Sequence, residues 1–228
     1  EKGSVIKDFD KLKGEKVRFI NEDKNGNIWI AAEGQGVFTY TTSGRFNFDP
    51  RINGNINFNS VTAQCIDNEN NLWLGTLDGL IYYEIDNRSF DKLTQGSGLA
   101  GNEISSVYAD RKGRIWVGMD GKGVTIIEGA EFKNPNLGMN VTPTCFVEDN
   151  DGKIWIGTEG RGVISYDPST DQVIHHFTVG EGEEGESLLA NLINLLNCDD
   201  NNNIYIGTNK GLNKFLQEDN KIYGFNKK

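Results

Sequence analysis

The two histidines of the chain, His175 and His176, are adjacent. Neighbouring residues of a strand point to opposite faces of a sheet, so this pair could not bind one metal ion or act together as acid and base. No Cys and His spacing matches a zinc site, and no Gly-x-Ser-x-Gly sequence predicts a nucleophile elbow. We therefore identify no catalytic residue and no metal ligand, and we predict no cofactor.

The three cysteines, Cys65, Cys145 and Cys198, cannot form a complete set of disulfides because their number is odd. Each lies in an apolar run that has the character of an inner strand. Free cysteine often packs as a small apolar side chain, and we interpret all three as buried thiols. A redox or metal-binding role is the alternative.

Two Asp- and Asn-rich turns, at 149–152 and 199–202, superficially resemble calcium loops. They lack the glutamate that closes an EF-hand loop, and we favour structural hairpin turns over calcium sites. The sequence Gly160-Arg161-Gly162 suggests phosphate binding, but no helix N-terminus follows it to hold an anion. The acidic run at 180–186 is interpreted as a solvated loop.

The charge of the chain excludes some classes of partner. Its formal net charge is −10 and its pI is about 4.8, so its surface repels phosphate backbones and nucleic acid is not expected as a partner. No run of about 18 apolar residues predicts a membrane-spanning helix. No signal peptide is recognised, so a targeting or membrane segment would have to lie outside these residues.

A short internal repeat dominates the sequence. Five segments share an aliphatic–aromatic–aliphatic core, and the central aromatic residues are 44, 43, 39 and 50 residues apart. An aspartate stands six residues before every one of them. The segments lie at 26–32, 70–76, 113–119, 152–158 and 202–208, and the aspartates are Asp23, Asp67, Asp110, Asp149 and Asp199. Such regular self-similarity indicates a repeat architecture.

Each repeat predicts four short strands. Gly or Asn stands three residues before the aromatic, which is typical of a hairpin turn with positive φ. The preceding Asp or Asn can bond back to the backbone of that turn. A second glycine-containing turn then leads to a third strand, and a polar turn leads to a fourth. Stacking such sheets buries both faces of each, which would place the repeated tryptophans in the core between neighbouring blades.

The predicted fold class is all-β: a β-propeller segment at 1–228, built of about five four-stranded antiparallel blades. We place the blades at about 17–58, 59–102, 103–139, 140–190 and 191–228. Residues 1–16 are left over, with a predicted outer strand at 5–9. Because this strand has no blade of its own, we hypothesise that the chain is a segment of a larger propeller. A closed five-blade ring would contradict that hypothesis.

We expect any ligand-binding site to lie at one rim of the propeller. The turn between the second and third strands of each blade should lie at the same rim as the entry to the first strand, and polar side chains cluster there. The candidate ligand-binding residues are Glu33, Gln35, Asp120, Lys122, Glu159 and Arg161, and the same rim should hold Asp78, Asn209 and Lys210. A sugar site needs such hydrogen-bonding groups. The alternative is a solvated rim without a ligand.

The fourth repeat carries a resemblance to a known family. Its sequence, Glu148-Asp149-x-x-Gly152-x-Ile154-Trp155-Ile156-Gly157-Thr158-x-x-x-Gly162-Val163-x-x-Tyr166-Asp167, resembles the two-component regulator propeller repeat, and the likeness extends over essentially the whole chain. It is weaker in the first repeat, where Ala31-Ala32 replaces Gly-Thr, and in the last, where Tyr205 replaces Trp.

The resemblance implies the periplasmic, ligand-sensing region of a membrane-bound sensor histidine kinase, often a hybrid kinase of Bacteroides-type bacteria. Such receptors carry two seven-bladed propellers, an immunoglobulin-like domain, a membrane helix and a cytoplasmic kinase. Their usual input is an oligosaccharide released from a glycan, and their output regulates polysaccharide-utilisation genes. The implied partners are therefore an oligosaccharide, further blades and the kinase of the parent chain, and a second copy in a homodimer. The segment itself is not expected to be an enzyme.

Two other functions remain open. Propellers are common platforms for protein interaction, so a scaffold is the main alternative. A propeller lyase or glycosidase is a third, less favoured one. It would need paired carboxylates, for which Asp120 and Glu159 could face each other across the axis.

Overall fold

The computed structural model describes residues 12–54, 56, 61–180 and 187–225. The predicted outer strand at 5–9 and most of the acidic run, residues 181–186, lie outside these residues.

Within the described residues, twenty strands form five antiparallel four-stranded sheets, and the strands of each sheet pair in chain order. The predicted all-β fold class is confirmed. Between the first two sheets lies one short helix, α1 (Pro50–Asn53). The strands are β1–β4 (Val17–Glu22, Ile28–Ala32, Gly36–Tyr40, Phe46–Phe48), β5–β8 (Ala63–Ile66, Asn71–Thr76, Gly79–Glu84, Ser89–Leu93), β9–β12 (Ile104–Ala109, Ile115–Met119, Gly123–Glu128, Glu131–Lys133), β13–β16 (Pro143–Glu148, Ile154–Thr158, Val163–Asp167, Gln172–Phe177) and β17–β20 (Ile193–Cys198, Ile204–Thr208, Gly211–Leu216, Lys221–Phe225).

The first strand of each sheet packs against the first strand of the next, in the order β1, β5, β9, β13 and β17. Among the described residues, no contact of that extent joins β17 back to β1. Apolar side chains are exposed at both ends of the series, with Ile20 at 62% and Leu195 at 63%. Leu212 is 40% exposed, whereas Val163, at the same position of the fourth sheet, is fully buried. The sheets therefore form an open series of five blades.

The aspartate of each repeat fixes its hairpin turn. In the fourth blade, Asp149 Oδ1 accepts hydrogen bonds from the backbone N–H groups of Asp151 (3.0 Å) and Lys153 (2.9 Å), and its Oδ2 accepts one from Trp155 Nε1 (3.0 Å). The first three blades repeat the indole bond at 2.8–2.9 Å, in the pairs Trp29–Asp23, Trp73–Asp67 and Trp116–Asp110. The predicted turn bonds are confirmed, and the bond to the indole is an addition that the sequence did not reveal.

The tryptophans lie between neighbouring sheets, as predicted. Trp116 meets Tyr166 of the next blade edge-on, with ring centroids 5.8 Å apart, and both side chains are fully buried. The glycine two residues after Trp155 lets the sheets approach closely. A Cβ at Gly157 would lie 2.6 Å from Cys145 Sγ and 2.7 Å from Ile193 Cγ2 of the fifth blade.

A hydroxyl bond also links the innermost strands of successive blades. Thr144 Oγ1 donates to the carbonyl oxygen of Ile193 at 2.6 Å. The second and third blades make the same bond, Thr62 to Ile104 at 2.5 Å and Ser105 to Pro143 at 2.6 Å. At the third junction Ser106 Oγ donates to the same Pro143 carbonyl, at 2.9 Å. Small polar side chains thus join three junctions close to the axis.

We expect Asp149→Ala to lower the free energy of unfolding by about 3 kcal/mol, because it leaves an indole N–H and two backbone N–H groups without their acceptor. Trp155→Phe removes the indole donor together with part of the buried ring, and the loss of packing is common to both backgrounds, so it cancels in the comparison. The loss of unfolding free energy caused by Trp155→Phe should be at least ~1 kcal/mol smaller in the Asp149→Ala background than in the wild type. Urea denaturation of the two single variants and the double variant measures this. Strict additivity would contradict it, and the exposed Asp200→Ala is the control for a charge lost in such a turn.

Candidate functional site

The turns between the second and third strands lie against the entries to the first strands, as predicted for the rim. The backbone N–H of Glu33 donates to the carbonyl of Lys16, that of Asp120 to Glu103, and that of Glu159 to Thr142, each at 2.9 Å. All three bonds join such a turn to the segment that leads into an inner strand. The polar side chains of these turns therefore share one rim.

The rim residues of the first blade are paired within that blade. Glu33 accepts from Arg18 and Lys16, with N–O distances of 3.1 and 3.2 Å. The hydrogen bond to Arg18 is the main reason that the pKa of Glu33 is lowered. Gln35 Nε2 donates to Glu15 Oε1 at 3.2 Å. A ligand at this blade would have to compete with these contacts.

The rim residues of the third and fourth blades meet at Thr142. Asp120 Oδ1 accepts from Thr142 Oγ1 at 2.7 Å, and the carbonyl of Thr142 accepts from the Glu159 backbone at 2.9 Å. Asp120 and Glu159 thus belong to turns of adjacent blades that share one linker residue. The lyase or glycosidase alternative requires two carboxylates that face each other across the axis, and this arrangement of neighbouring turns is different.

Two cationic side chains of the rim keep their charged ends available. The stem of Lys122 lies over Gly101, where a Cβ would be 3.1 Å from Lys122 Cγ, and it lines a shallow cavity of about 410 Å³ together with residues 135–140. The carbonyl oxygen of Arg161 accepts from His176 Nε2 at 2.8 Å. In the described ranges, neither Lys122 Nζ nor the Arg161 guanidinium has a carboxylate within 4.0 Å. These are the rim groups best placed to bind a polar ligand.

The histidines occupy opposite faces of β16, as the alternation of a strand predicts. His175 stacks against Trp155 and Phe215 at centroid distances of 6.1 and 5.5 Å, whereas His176 bonds to the rim turn. Burial, with a contribution from the nearby charge of Lys153, lowers the pKa of His175. His175 is therefore a half-buried residue that packs against the aromatic rings of the junction between the fourth and fifth blades.

The cysteines and the Asp-rich turns have structural surroundings. Cys65, Cys145 and Cys198 are free and lie on innermost strands, and burial raises the pKa of Cys145 to about 11, which leaves little reactive thiolate. Asn202 joins the fourth and fifth turns, accepting from the Asn150 backbone at 2.7 Å and donating to Asp151 Oδ2 at 3.0 Å. Over the described part of the chain, no group of three or more His, Cys, Asp or Glu residues could hold a metal ion.

A polar groove between the first and second blades was missed in the sequence. It has a volume of about 650 Å³ and is lined by Arg45, Arg51 and Arg88. It lies where the polar turns of two blades meet across a gap of about 40 residues in the chain, so no local motif marks it. The available signal was a departure from the repeat, an arginine at position 88 where the fourth blade has Asp171.

Three segments of the chain, at 55–78, 98–121 and 137–160, match the two component regulator propeller family. Over these three segments, about a third of its length, the chain is similar to that family. The matched segments are three of the five repeats found in the sequence, and they include the tryptophan strands of the second, third and fourth blades. No curated protein sequence matches the chain.

Solved propellers of several kinds share the fold of these repeats. The extracellular domain assigned to a hybrid two component system of B. thetaiotaomicron is 20% identical, with a TM-score of 0.74 over 92% of this chain and 29% of that one. PorZ of Porphyromonas gingivalis, a surface component of the type-IX secretion system, is 20% identical, with a TM-score of 0.65 over 92% and 32%. Virginiamycin B lyase of Staphylococcus aureus is 12% identical, with a TM-score of 0.66 over 93% and 70%.

The chain spans about a third of the length of the first two of these proteins. An extracellular domain assigned to a two component system, a secretion-system component and a lyase share this blade architecture, so the fold alone does not decide among their functions. No helix in the described ranges is long and apolar enough to cross a bilayer.

We expect the propeller to lose stability as the pH falls from 7 towards 5, in part through His175. Its pKa in the folded state lies below that of the unfolded chain, about 6.5, so protons bind the unfolded state more readily and acid favours unfolding. His175→Phe should be less sensitive over this range than the wild type. Urea midpoints at pH 7.5 and 5.5 test this, with His176→Phe as the control. An equal loss in the wild type and His175→Phe would contradict it.

Proposed function

We propose that this propeller is the ligand-sensing part of the extracytoplasmic region of a hybrid two-component sensor histidine kinase, and that it binds a glycan-derived oligosaccharide. The observation that carries the proposal is the match of three repeats to the two component regulator propeller family. The fold shared with the extracellular domain of a hybrid two component system supports it. This assignment places the chain in the periplasm.

The rim supplies suitable chemistry for such a ligand. Lys122 and Arg161 belong to the turns of adjacent blades, and Asp120, Thr142 and Glu159 lie between them. Sugar hydroxyls both donate and accept hydrogen bonds, so alternating cationic and carboxylate groups suit them. A ligand that spans two turns would fix the relative position of two blades, and differential binding of this kind can shift a receptor between two states.

The parent receptor would supply the remaining parts. The exposed apolar side chains of the last sheet, Leu195, Leu212 and Phe225, occupy positions that pack against a following sheet in the inner blades. We propose that further blades cover them, completing a seven-bladed ring, and that signalling reaches a cytoplasmic kinase through a homodimeric receptor. The output would be transcription of polysaccharide-utilisation genes.

A protein-interaction scaffold is the second candidate. It is favoured by the likeness to PorZ, a surface component of a secretion system, and by the apolar side chains exposed at both ends of the blade series. A scaffold would use those surfaces rather than the charged rim. It therefore predicts binding that is insensitive to substitutions at Lys122 and Arg161.

A thermal-shift screen against oligosaccharides, with the described propeller and with its full-length receptor, tests the sensing proposal. A ligand at 100 times its Kd adds about 2.7 kcal/mol of stability. Lys122→Ala and Arg161→Ala should each weaken binding about tenfold, since each removes a charge-assisted hydrogen bond. Lys112→Ala, in an exposed turn at the opposite end of the blade, is the matched control. If no oligosaccharide raises the melting temperature of either protein, the sensing proposal is contradicted and the scaffold is favoured.

A further inference from the structure

The groove between the first and second blades lies at the end of the sheets opposite to the rim. Consecutive antiparallel strands turn alternately at the two ends of a sheet, so the β1–β2, β3–β4 and β7–β8 turns share the end away from the β2–β3 turn. These are the turns that line the groove, which measures about 650 Å³. Its base is the edge-on contact of Trp29 and Tyr83, with centroids 5.8 Å apart.

Three of the seven arginines of the chain line this groove, although the net charge of the chain is −10. Arg51 lies 3.9 Å from Asp49 Oδ1 and donates to the carbonyl oxygen of Arg88 at 3.2 Å. For Arg45 and Arg88, in contrast, no carboxylate of the described residues lies within 4.0 Å of the guanidinium group. Both side chains belong to exposed turn residues on opposite walls.

The carboxylates of the groove are already engaged by other donors. Asp23 accepts from the Asn25 and Asn27 backbones and from the Trp29 indole. Asp49 accepts from the Tyr83 hydroxyl at 2.8 Å and from the Arg51 backbone at 2.9 Å. The third carboxylate of the groove, Asp86, accepts from Asn25 Nδ2 at 3.4 Å. Among the described residues, none of these three carboxylates forms an ion pair within 4.0 Å with Arg45 or Arg88.

The junction between the third and fourth blades has the same frame but is closed. Trp116 meets Tyr166 there at the same 5.8 Å, and the Arg114 guanidinium lies over the Trp116 ring and pairs with Asp110. Lys133 and Asp171 form an ion pair of 2.9 Å across the junction. Asp171 also accepts a hydrogen bond from the Tyr166 hydroxyl.

The first junction differs from the third at each of these positions. Asn27 stands where Arg114 fills the closed junction, both two residues before the tryptophan. Asn47 occupies the position of Lys133 on the fourth strand. Asn47 pairs with Thr39, the partner of Trp29, just as Lys133 pairs with Ile126, the partner of Trp116. Arg88 stands where Asp171 does, immediately before the fourth strand with φ of 54° and 59°. The first junction therefore has no counterpart of the Arg114 guanidinium, and it has a cation, Arg88, at the position of the Asp171 carboxylate.

We propose that this groove is a binding site for an acidic saccharide, whose carboxylate or sulfate group lies between Arg45 and Arg88. Guanidinium groups bind such oxyanions through paired, charge-assisted hydrogen bonds. The neutral side chains of the walls, among them Asn25, Asn47 and Ser43, suit the hydroxyls of the sugar ring. The site does not depend on the rim, since the two lie at opposite ends of the blades.

Isothermal titration with four probes tests the site: tetragalacturonate, a sulfated disaccharide, neutral maltotetraose and inorganic sulfate. We expect at least one of the two acidic saccharides to bind and maltotetraose not to bind in the groove. The Kd should rise at least tenfold in the Arg45→Gln/Arg88→Gln variant, and it should also rise with added salt. Lys112→Gln, in an exposed turn of the third blade, should leave this affinity unchanged, and Arg161→Gln, on the rim, tests whether the saccharide binds there instead.

A second variant closes the groove without removing its walls. Asn47→Lys combined with Arg88→Asp rebuilds the ion pair of the third junction, so it should keep the thermal stability of the wild type while abolishing binding. The proposal is overturned if neither acidic saccharide binds at millimolar concentration, if only inorganic sulfate binds, or if binding survives both groove variants. Loss of binding in Arg161→Gln alone would assign the ligand to the rim, so failure here and failure of the sensing proposal are distinguishable.

Discussion

One carboxylate in each blade holds the turn and the core of the propeller together. In the first four blades the aspartate six residues before the tryptophan accepts two backbone N–H groups with one oxygen and the indole N–H with the other. Burying an indole without a hydrogen-bond acceptor for its N–H group carries a free-energy penalty, which the aspartate removes. The same bond fixes the ring against the next sheet, so the packing of one blade on another depends on a residue in the hairpin turn.

The fifth blade indicates what happens without that bond. Asp199 keeps its bonds to the backbone of the turn, at 2.9 and 3.0 Å, but Tyr205 has no indole N–H to donate. Asn203 Nδ2 donates to the second carboxylate oxygen at 3.0 Å, a bond that Asn27 and Asn71 also make in the first two blades. Lys214 Nζ lies 4.8 Å from the centre of the Tyr205 ring. The turn therefore forms independently of the indole.

The blade pattern could be predicted because its determinants are local. The strands, the positive-φ residues at Gly152 and Asn202 and the core position of the tryptophans follow from residues within one hairpin. The links between blades could not be predicted in this way. The bond from Thr144 to Ile193 joins residues 49 apart, and the groove walls at Arg45 and Arg88 come from different repeats. Only the packing of the sheets decides which of these residues meet.

Opening the groove at the first junction costs the fold little. The Lys133–Asp171 pair that closes the third junction joins two half-exposed side chains, at 50% and 51%, and pairs of this kind contribute ~0–1 kcal/mol. The aromatic contact beneath, which carries the apolar burial, is the same at both junctions. The hydroxyl of Tyr83 also keeps a carboxylate acceptor. At the third junction Asp171 accepts from Tyr166, and at the first junction, where Arg88 stands at that position, Asp49 accepts from Tyr83. Because the Asp–Trp–Tyr contact is kept at both of these junctions, the polar residues above it are free to differ between them, and a binding site can occupy one junction of an otherwise repeated structure.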